Sequence, residues 1–322
     1  MPATLKLLSV VFSFRNEEEV LPELLRRTRA VLASEKAGGR IAHWELIFVN
    51  DASSDRSLEV LIKEAQGHHD ITIITMSRTF GVGPCVVAGM AHARGGAVVY
   101  MDADLQDPPE LVPQLLEAMQ AQNAEVVHTQ RRTRRGETTF KLYLTKIGYA
   151  LLNRYSSVPM PPEVGDFKLL SRRVVDEILK LKEYRPYMRG LVSYVGFKQI
   201  FVPYDRQPRF AGKSKFFILG FKAVSNFLNS VISFSSVPLQ IASYCGLGAI
   251  LIVGLIVIHA LYQKLMGTAV PGWTALMCVV LFIGGVQLFC IGMIGLYLKS
   301  IHDQTKSRPN YIIESIDEMT AG

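Results

Sequence analysis

Charge of either sign is missing from two long stretches of this 322-residue chain. No Asp, Glu, Lys or Arg occurs from Ala223 to Gln263, and after Lys264 none occurs from Leu265 to Leu298. Within these lie LQIASYCGLGAILIVGLIVIHAL (239–261) and GWTALMCVVLFIGGVQLFCIGMIGLYL (272–298). Each exceeds the ~20 apolar residues that carry a helix across a bilayer. A pair of buried core helices is the competing explanation, but such helices seldom run so far without a charge. Ionisable residues inside a membrane mark ion and substrate paths, so their absence also argues against a transporter.

Cysteine is scarce: there are four, with Cys85 alone and Cys245, Cys278 and Cys290 inside the apolar runs. No CxxC pair or His/Cys cluster is present, which excludes a disulfide framework and a zinc site of the usual spacing. A cleavable signal peptide is not expected at LLSVVFSF (7–14), which spans only eight residues and meets Arg15 and three glutamates without a small-residue cleavage site.

What remains is apolar and basic. Hydrophobic residues make up 49%, the mean hydropathy is +0.22 and the sequence pI is about 9.2. A net charge of +7 suits nucleic acid or an anionic surface. With lysines clustered beside two spans, the lipid surface is the better reading and no nucleic-acid partner is expected. Lys213, Lys215 and Lys222 precede the first span and Lys299, Lys306 and Arg308 follow the second, against Lys264 alone between them. By the positive-inside rule both termini face the cytoplasm. The glycines Gly246, Gly248, Gly284, Gly285, Gly292 and Gly295 leave room for close helix approach, within one chain or in a homo-oligomer.

The first 130 residues alternate strand-like runs with helical periodicity. The runs are LLSVVFSF (7–14), WELIFVN (44–50), ITIITM (71–76), AVVYM (97–101) and EVVHTQ (125–130). Between Glu18 and Ala33, Leu21, Leu24, Leu25, Thr28 and Leu32 share one helix side. This alternation predicts βαβ units and a mostly parallel sheet, in which ligands sit beyond the carboxyl ends of the strands. Each run ends in a polar cluster: RNEEE, DASSD, SRTFGVG, DADLQD and RRTRRGE. Further on, FFILGFKAVSNFLNSVISF (216–234) aligns Lys222, Ser225, Asn226, Asn229, Ser230 and Ser233 in one stripe and is expected to lie in the membrane interface. TFKLYLTKIGYALLNRY (139–155) carries a weaker stripe that suits interface and core equally.

In AVVYMDADLQDPPEL (97–111) an apolar strand ends on Asp102, Asp104 and Asp107. Carboxylates that close raise one another's pKa unless a cation neutralises them. Mg²⁺ or Mn²⁺ takes one or two carboxylates and fills its remaining positions with water and phosphate oxygens. Asp102 and Asp104 therefore read as a clamp for a metal and a diphosphate. Asp107, followed by Pro108 and Pro109, reads as the N-cap of the next helix. Asp51 and Asp55 add acid on a neighbouring loop suited to a base or ribose, and Arg131, Arg132, Arg134 and Arg135 suit phosphate.

The order SVVFSFRNEEE, NDASSD, SRTFG, DADLQDPPE, GDF (165–167) and RFAGKSK (209–215) resembles the family 2 glycosyltransferases of GT-A fold. The branch it resembles is the polyprenyl-phosphate hexose synthases, which include bactoprenol glucosyltransferases and dolichyl-phosphate mannose synthases. The resemblance covers nearly the whole chain. It implies a Rossmann-like α/β catalytic domain over 1–212, including an amphipathic segment at about 138–155. A juxtamembrane helix over 213–235, two spans within 236–298 and a cytoplasmic tail over 299–322 follow. It implies that Ser13, Arg15, Glu17, Asp51 and Arg78 bind the nucleotide sugar and that Asp102, Asp104 and Gln106 surround the metal. Asp166 lies near the acceptor, and Arg131, Arg135, Arg209 and Lys215 serve the phosphate groups. The implied reaction is inverting transfer of a hexose from a donor such as UDP-glucose to undecaprenyl phosphate, at the inner face of a bacterial plasma membrane.

Two departures stand out. Ser13 and Arg15 flank Phe14 where the family commonly has Pro and Tyr or Phe before Asn-Glu, so a guanidinium plane would replace an aromatic against the base. Ala52 stands where Gly is usual, which puts the positive φ of that turn in question. A processive polysaccharide synthase would carry Gln-x-x-Arg-Trp, and neither Trp44 nor Trp273 follows such a motif. A non-catalytic nucleotide-binding module is disfavoured by the presence of both Asp102 and Asp104.

Overall fold

The structure, a computed structural model, describes residues 4–132, 164–184, 186–207, 237–266 and 272–318. Both amphipathic segments expected from sequence, 139–155 and 216–234, lie outside the described residues, as do Arg134, Arg135, Arg209 and Lys215. Described residues up to Gln207 and from Arg308 onward form one compact unit, and those from Val237 to Ser307 form a second.

The first unit follows the order β1 (Leu5–Phe14), α1 (Leu21–Ala37), β2 (Ile41–Asn50), α2 (Ser57–Ala65), β3 (Ile71–Met76), α3 (Val82–His92) and β4 (Ala97–Asp102). A 3₁₀ turn at Pro109–Leu111 leads into α4 (Val112–Gln122), then β5 (Val126–Arg131), β6 (Val164–Ser171), α5 (Arg172–Lys180), α6 (Met188–Tyr194) and β7 (Gln199–Tyr204). Eight strands form one sheet in the order β7-β5-β6-β4-β1-β2-β3-β8, the last being Ile313–Glu318. β1 to β4 pair in parallel, as do β5 and β7, while β6 and β8 are antiparallel to their neighbours. This is the mixed, mostly parallel α/β sheet expected for GT-A.

The central strands read as near-continuous apolar runs because helices cover both faces. On one face Leu8, Val10, Phe12 and Phe48 meet Leu21, Leu24, Leu25 and Leu32 of α1 and Leu115 and Leu116 of α4 in one buried cluster. Phe12 and Phe48 stack with ring centroids 4.8 Å apart. On the other face α3 packs so closely that a Cβ on Gly89 would stand 2.3 Å from Val11 Cγ1. Only glycine permits that approach.

Within the stretch 299–322, read from sequence as a tail, Ile313–Glu318 form β8 and pair with β3 from Thr72↔Glu318 to Met76↔Ile313. The unit bounded by Val237 and Ser307 contains α7 (Val237–Leu265) and α8 (Trp273–Thr305). Both are long and apolar enough to cross a membrane, with an 18-residue window of mean hydropathy 2.5 within Leu239–Gln263 and of 2.4 within Cys278–Thr305. They touch at the buried Ala242, whose carbonyl accepts from the Cys290 thiol at 3.2 Å. Among the described residues, a Cβ on Gly246, Gly248, Gly284, Gly285, Gly292 or Gly295 would meet nothing within 4 Å, so the glycines do not mark this contact.

Candidate active site

The parallel strands and the reversal at β6 bring several polar ends to one sheet edge. The carboxyl ends of β1 (Ser13), β4 (Asp102), β5 (Arg131) and β7 (Tyr204) lie there, and the antiparallel β6 contributes its amino end, Gly165 and Asp166. Ser13 is the register partner of Asp102, with its Oγ 3.4 Å from Asp102 Oδ1. The β4–β6 register pairs Tyr100 with Lys168. Continued by two residues, it sets Asp166 across from Asp102.

Asp102 carries the strongest acid-acid tension at this edge. Burial, then the neighbouring carboxylates Asp166, Asp104 and Asp107, push its carboxyl up to about 7, opposed in part by Arg206. Asp104 is buried and its Oδ1 accepts from the Gln106 backbone N–H at 3.1 Å. Leu105 between them takes φ +55, turning the chain so that Asp104 and Gln106 stay on the loop. Asp107 does not cap the next helix. The 3₁₀ turn and α4 have no side-chain cap, and the buried Asp107 Oδ1 instead accepts from the Tyr204 hydroxyl and lies 3.4 Å from Arg206 Nε. Ion pairing across the sheet edge outcompeted local capping.

Asp166 is held by a fork. Arg189 Nε donates to Oδ1 at 3.0 Å and Nη2 donates to Oδ2 at 2.6 Å. Burial alone would raise the Asp166 pKa, but Arg189, with Lys168 and Arg131 nearby, holds it down at about 2. Lys168, fully buried, donates to the Gly165 carbonyl and sits over the Tyr100 ring at 5.7 Å. Burial depresses its ammonium to about 7 although Asp166 favours the charge. Beside it in β5, the buried His128 is pushed down to about 4 by burial and by Lys168. Arg189, Lys168, Tyr204 and Arg206 were not singled out from sequence. Lys168 had a readable signal, a charge inside the apolar strand VGDFKLLS, whereas nothing in spacing pairs Arg189 with Asp166.

At the ends of β1 to β3 the Asp51 carboxylate organises the following loop. Its Oδ1 accepts from Phe80 N–H at 2.6 Å and its Oδ2 from Gly81 N–H at 3.1 Å, so the SRTFG turn is tied to β2. Ala52 adopts φ +50 and Asn16 φ +54. The turn therefore keeps its left-handed conformation without glycine. The Asn16 and Glu17 backbone N–H groups donate to Ser53 and Ser57 hydroxyls at 3.1 and 2.8 Å, which joins the first two loops. Arg15 and Arg78 are exposed, and the Arg78 guanidinium lies 4.2 Å from the Phe80 ring centre.

Among the described residues no three His, Cys, Asp or Glu side chains converge as a metal cage. Two carboxylates and Gln106 suit a hard divalent cation that completes its shell with water and substrate oxygens. Burial, and after it the carboxylates Asp166, Asp104 and Asp107, raise the Asp102 pKa, a cost that a bound cation would relieve. The donor set fits such an ion.

Comparison with known proteins adds an independent line. The Glycosyl transferase family 2 profile matches residues 9–179. An uncharacterized glycosyltransferase of Bacillus subtilis is 40% identical over 310 residues, covering 95% of this chain and 93% of that one. An uncharacterized glycosyltransferase of Synechocystis sp. is 38% identical, over 96% and 95%. Bactoprenol glucosyl transferase of Shigella phage SfX is 35% identical, over 96% of this chain and 99% of that one.

Proposed function

The chain belongs to glycosyl transferase family 2, and on that premise we propose that it moves a hexose from a nucleotide sugar, first of all UDP-glucose, to a polyprenyl phosphate. The acceptor class and the sugar are suggested by the relative named bactoprenol glucosyl transferase. The observation that carries the reading is that β4 ends on Asp102 beside the antiparallel β6, whose amino end carries Asp166, with Arg131 close to Asp166.

Asp102 and Asp104, with Gln106, would hold Mg²⁺ or Mn²⁺, whose charge stabilises a departing nucleoside diphosphate. Ser13, Arg15, Glu17, Asp51 and Arg78 make the nucleotide half at the ends of β1 to β3, with Asp51 acting through the loop it fixes. The acceptor enters from the β6, β5 and β7 side, where Arg131 meets its phosphate, and Arg135, Arg209 and Lys215 extend that role. A phosphate monoester has a second pKa of about 6 and attacks the anomeric carbon already ionised. No base is required, and inversion follows from a single displacement. Asp166, ionised at about 2 with both oxygens engaged by Arg189, orients the reactants and does not take a proton.

α7 and α8 anchor the enzyme in a bacterial plasma membrane. Their large apolar side chains, among them Leu251, Leu255, Leu281 and Leu288, are exposed, a surface that water penalises and lipid does not. Because β8 follows α8 and joins the sheet that precedes α7, two crossings return the chain to the side it left. The basic flanks assign that side to the cytoplasm.

The test is incubation of membranes containing the protein with a panel of labelled nucleotide sugars and extraction of the lipid product. A labelled polyprenyl lipid formed from UDP-glucose supports the reading. Label from another donor replaces the sugar, and no labelled lipid from any donor overturns the transfer.

A further inference from the structure

α3 and α6 lie over one face of the sheet. Register partners on neighbouring strands point to the same side, so Val11, Tyr100 and Lys168 share a face. Asp166, two residues before Lys168 in β6, shares it too. α3 meets this face at Val11 through Gly89, and α6 meets it through Arg189, which grips Asp166. The starting points of the two helices also touch. A Cβ on Gly83, the second residue of α3, would stand 2.2 Å from the Pro186 carbonyl oxygen and 3.4 Å from the carbonyl carbon.

That separation is far inside van der Waals contact, and the atom met is backbone, so any side chain at position 83 must move the chain at Pro186. Gly83 is needed for space and not for torsion. It lies within a helix and is not among the glycines of positive φ, so alanine would suit the local backbone better than glycine does. Pro186 is buried and stands two residues before α6, whose first turn closes where the Leu191 N–H donates to the Tyr187 carbonyl at 3.0 Å. Arg189 sits in that turn, so a displacement at Pro186 passes to its guanidinium.

The α3 side of the contact is anchored. Asp51 accepts from the N–H groups of Phe80 and Gly81 and from the Cys85 thiol, so the end of β2 holds the chain both before and after Gly83. The Cys85 N–H donates to the Gly81 carbonyl at 3.3 Å and closes the turn between them. Of the two partners, Pro186 is the one that yields.

We propose that Gly83 and Pro186 are positioning residues for the transfer: their contact lets the loop fixed by Asp51 set the place of Arg189, and through Arg189 the place of Asp166. The nucleotide half of the site and the Asp166 half thereby keep one spacing. This rests on the reading that the chain transfers a sugar with Asp166 orienting the reactants.

The test uses the full-length protein in detergent. Its first readout is the acid slope of stability, taken as denaturant midpoints from pH 2 to 6. A loss of packing alone lowers the midpoint at every pH and leaves the slope. The Arg189 fork holds Asp166 at about 2 against 3.8, so its contribution is present above about pH 4 and lost toward pH 2. Gly83→Ala is expected to flatten the slope as Arg189→Met does, and the combined variant to flatten it no further. UDP affinity by titration calorimetry is expected to stay within about twofold, the scatter between independent sites.

The second readout is transfer from UDP-glucose to geranyl phosphate. Gly83→Ala is expected to lower kcat by about ten- to a hundredfold, the effect of a misplacement on the order of 1 Å, but by no more than about twofold when added to Arg189→Met. Pro186→Ala removes the ring whose Cγ lies 3.6 Å from the same Cβ position, and it carries the test with the same signs if Gly83→Ala does not fold. An acid slope equal to the wild type's overturns the proposal, as does a loss of kcat that adds in full to that of Arg189→Met, or a loss confined to UDP affinity. If the slope flattens as expected while the wild type moves no sugar to any polyprenyl phosphate, the positioning stands and the transferase reading falls.

Discussion

Arg189 meets Asp166 with both arms of its guanidinium, Nε at 3.0 Å from Oδ1 and Nη2 at 2.6 Å from Oδ2. The fork makes Asp166 a fixed negative charge and leaves it a poor base. Asp166→Asn should lower turnover, yet the pH profile should keep whatever basic limb the wild type has near neutrality. Loss of that limb in the variant would show that Asp166 titrates during turnover.

The same pair sets an acid limit on stability. The Asp166 pKa is about 2 in the folded chain against 3.8 as the reference, so the unfolded state binds more protons between these values. The pair's contribution, on the order of 1–2 kcal/mol, is present above about pH 4 and lost as pH falls toward 2. Denaturant melts from pH 2 to 6 should show a shallower acid slope in Arg189→Met than in the wild type.

Lys168 gives a slope of the same sign in a higher pH window, because burial makes its charged form a cost that is relieved as the proton leaves. Its ammonium is depressed from 10.5 to about 7, so the unfolded chain holds a proton that the folded chain has released across this window. Stability from this group rises with pH from about 7 to 10, by up to about 1.4 kcal/mol per pH unit. Lys168→Met should remove that rise, measured as urea midpoints at successive pH values.

At the loop proposed to hold the cation, Asp102→Asn should abolish any strengthening of UDP binding by Mg²⁺ or Mn²⁺ and reduce transfer by at least about a hundredfold. A variant whose UDP affinity still rises with added cation would remove Asp102 from the ligand set.

Ala52 at φ +50 occupies a conformation that costs a residue with a Cβ about 1–2 kcal/mol, part of which glycine gives back in chain entropy. Ala52→Gly should raise stability by up to about 1 kcal/mol without altering UDP affinity, as read by thermal midpoint and titration.

β8 changes how anchoring must be tested. A chain cut after Phe234 loses Ile313–Glu318 together with both helices, and leaves β3 an unpaired edge prone to association. Replacing 237–307 by a flexible linker while keeping 308–322 should preserve UDP binding and reduce transfer to a long-chain lipid. Deletion of 308–322 alone should lower the thermal midpoint.

Hydropathy and local periodicity were enough for the strands β1 to β5, the face of α1, the two apolar helices and the acids that end β4. Each of these depends on burial of a residue relative to its near neighbours, which a period of two or 3.6 residues records. The partners were a different matter. Asp107 looked like a helix cap because two prolines follow it, yet it is engaged by Tyr204, 97 residues away. Asp166 was visible as an acid, but its pairing with Arg189 follows from where α6 packs against β6. Lys168, Arg206 and the return of β8 to β3 likewise depend on strand order and register. Alternation along one strand says which side chains go inward, and only the assembled sheet decides which of them meet.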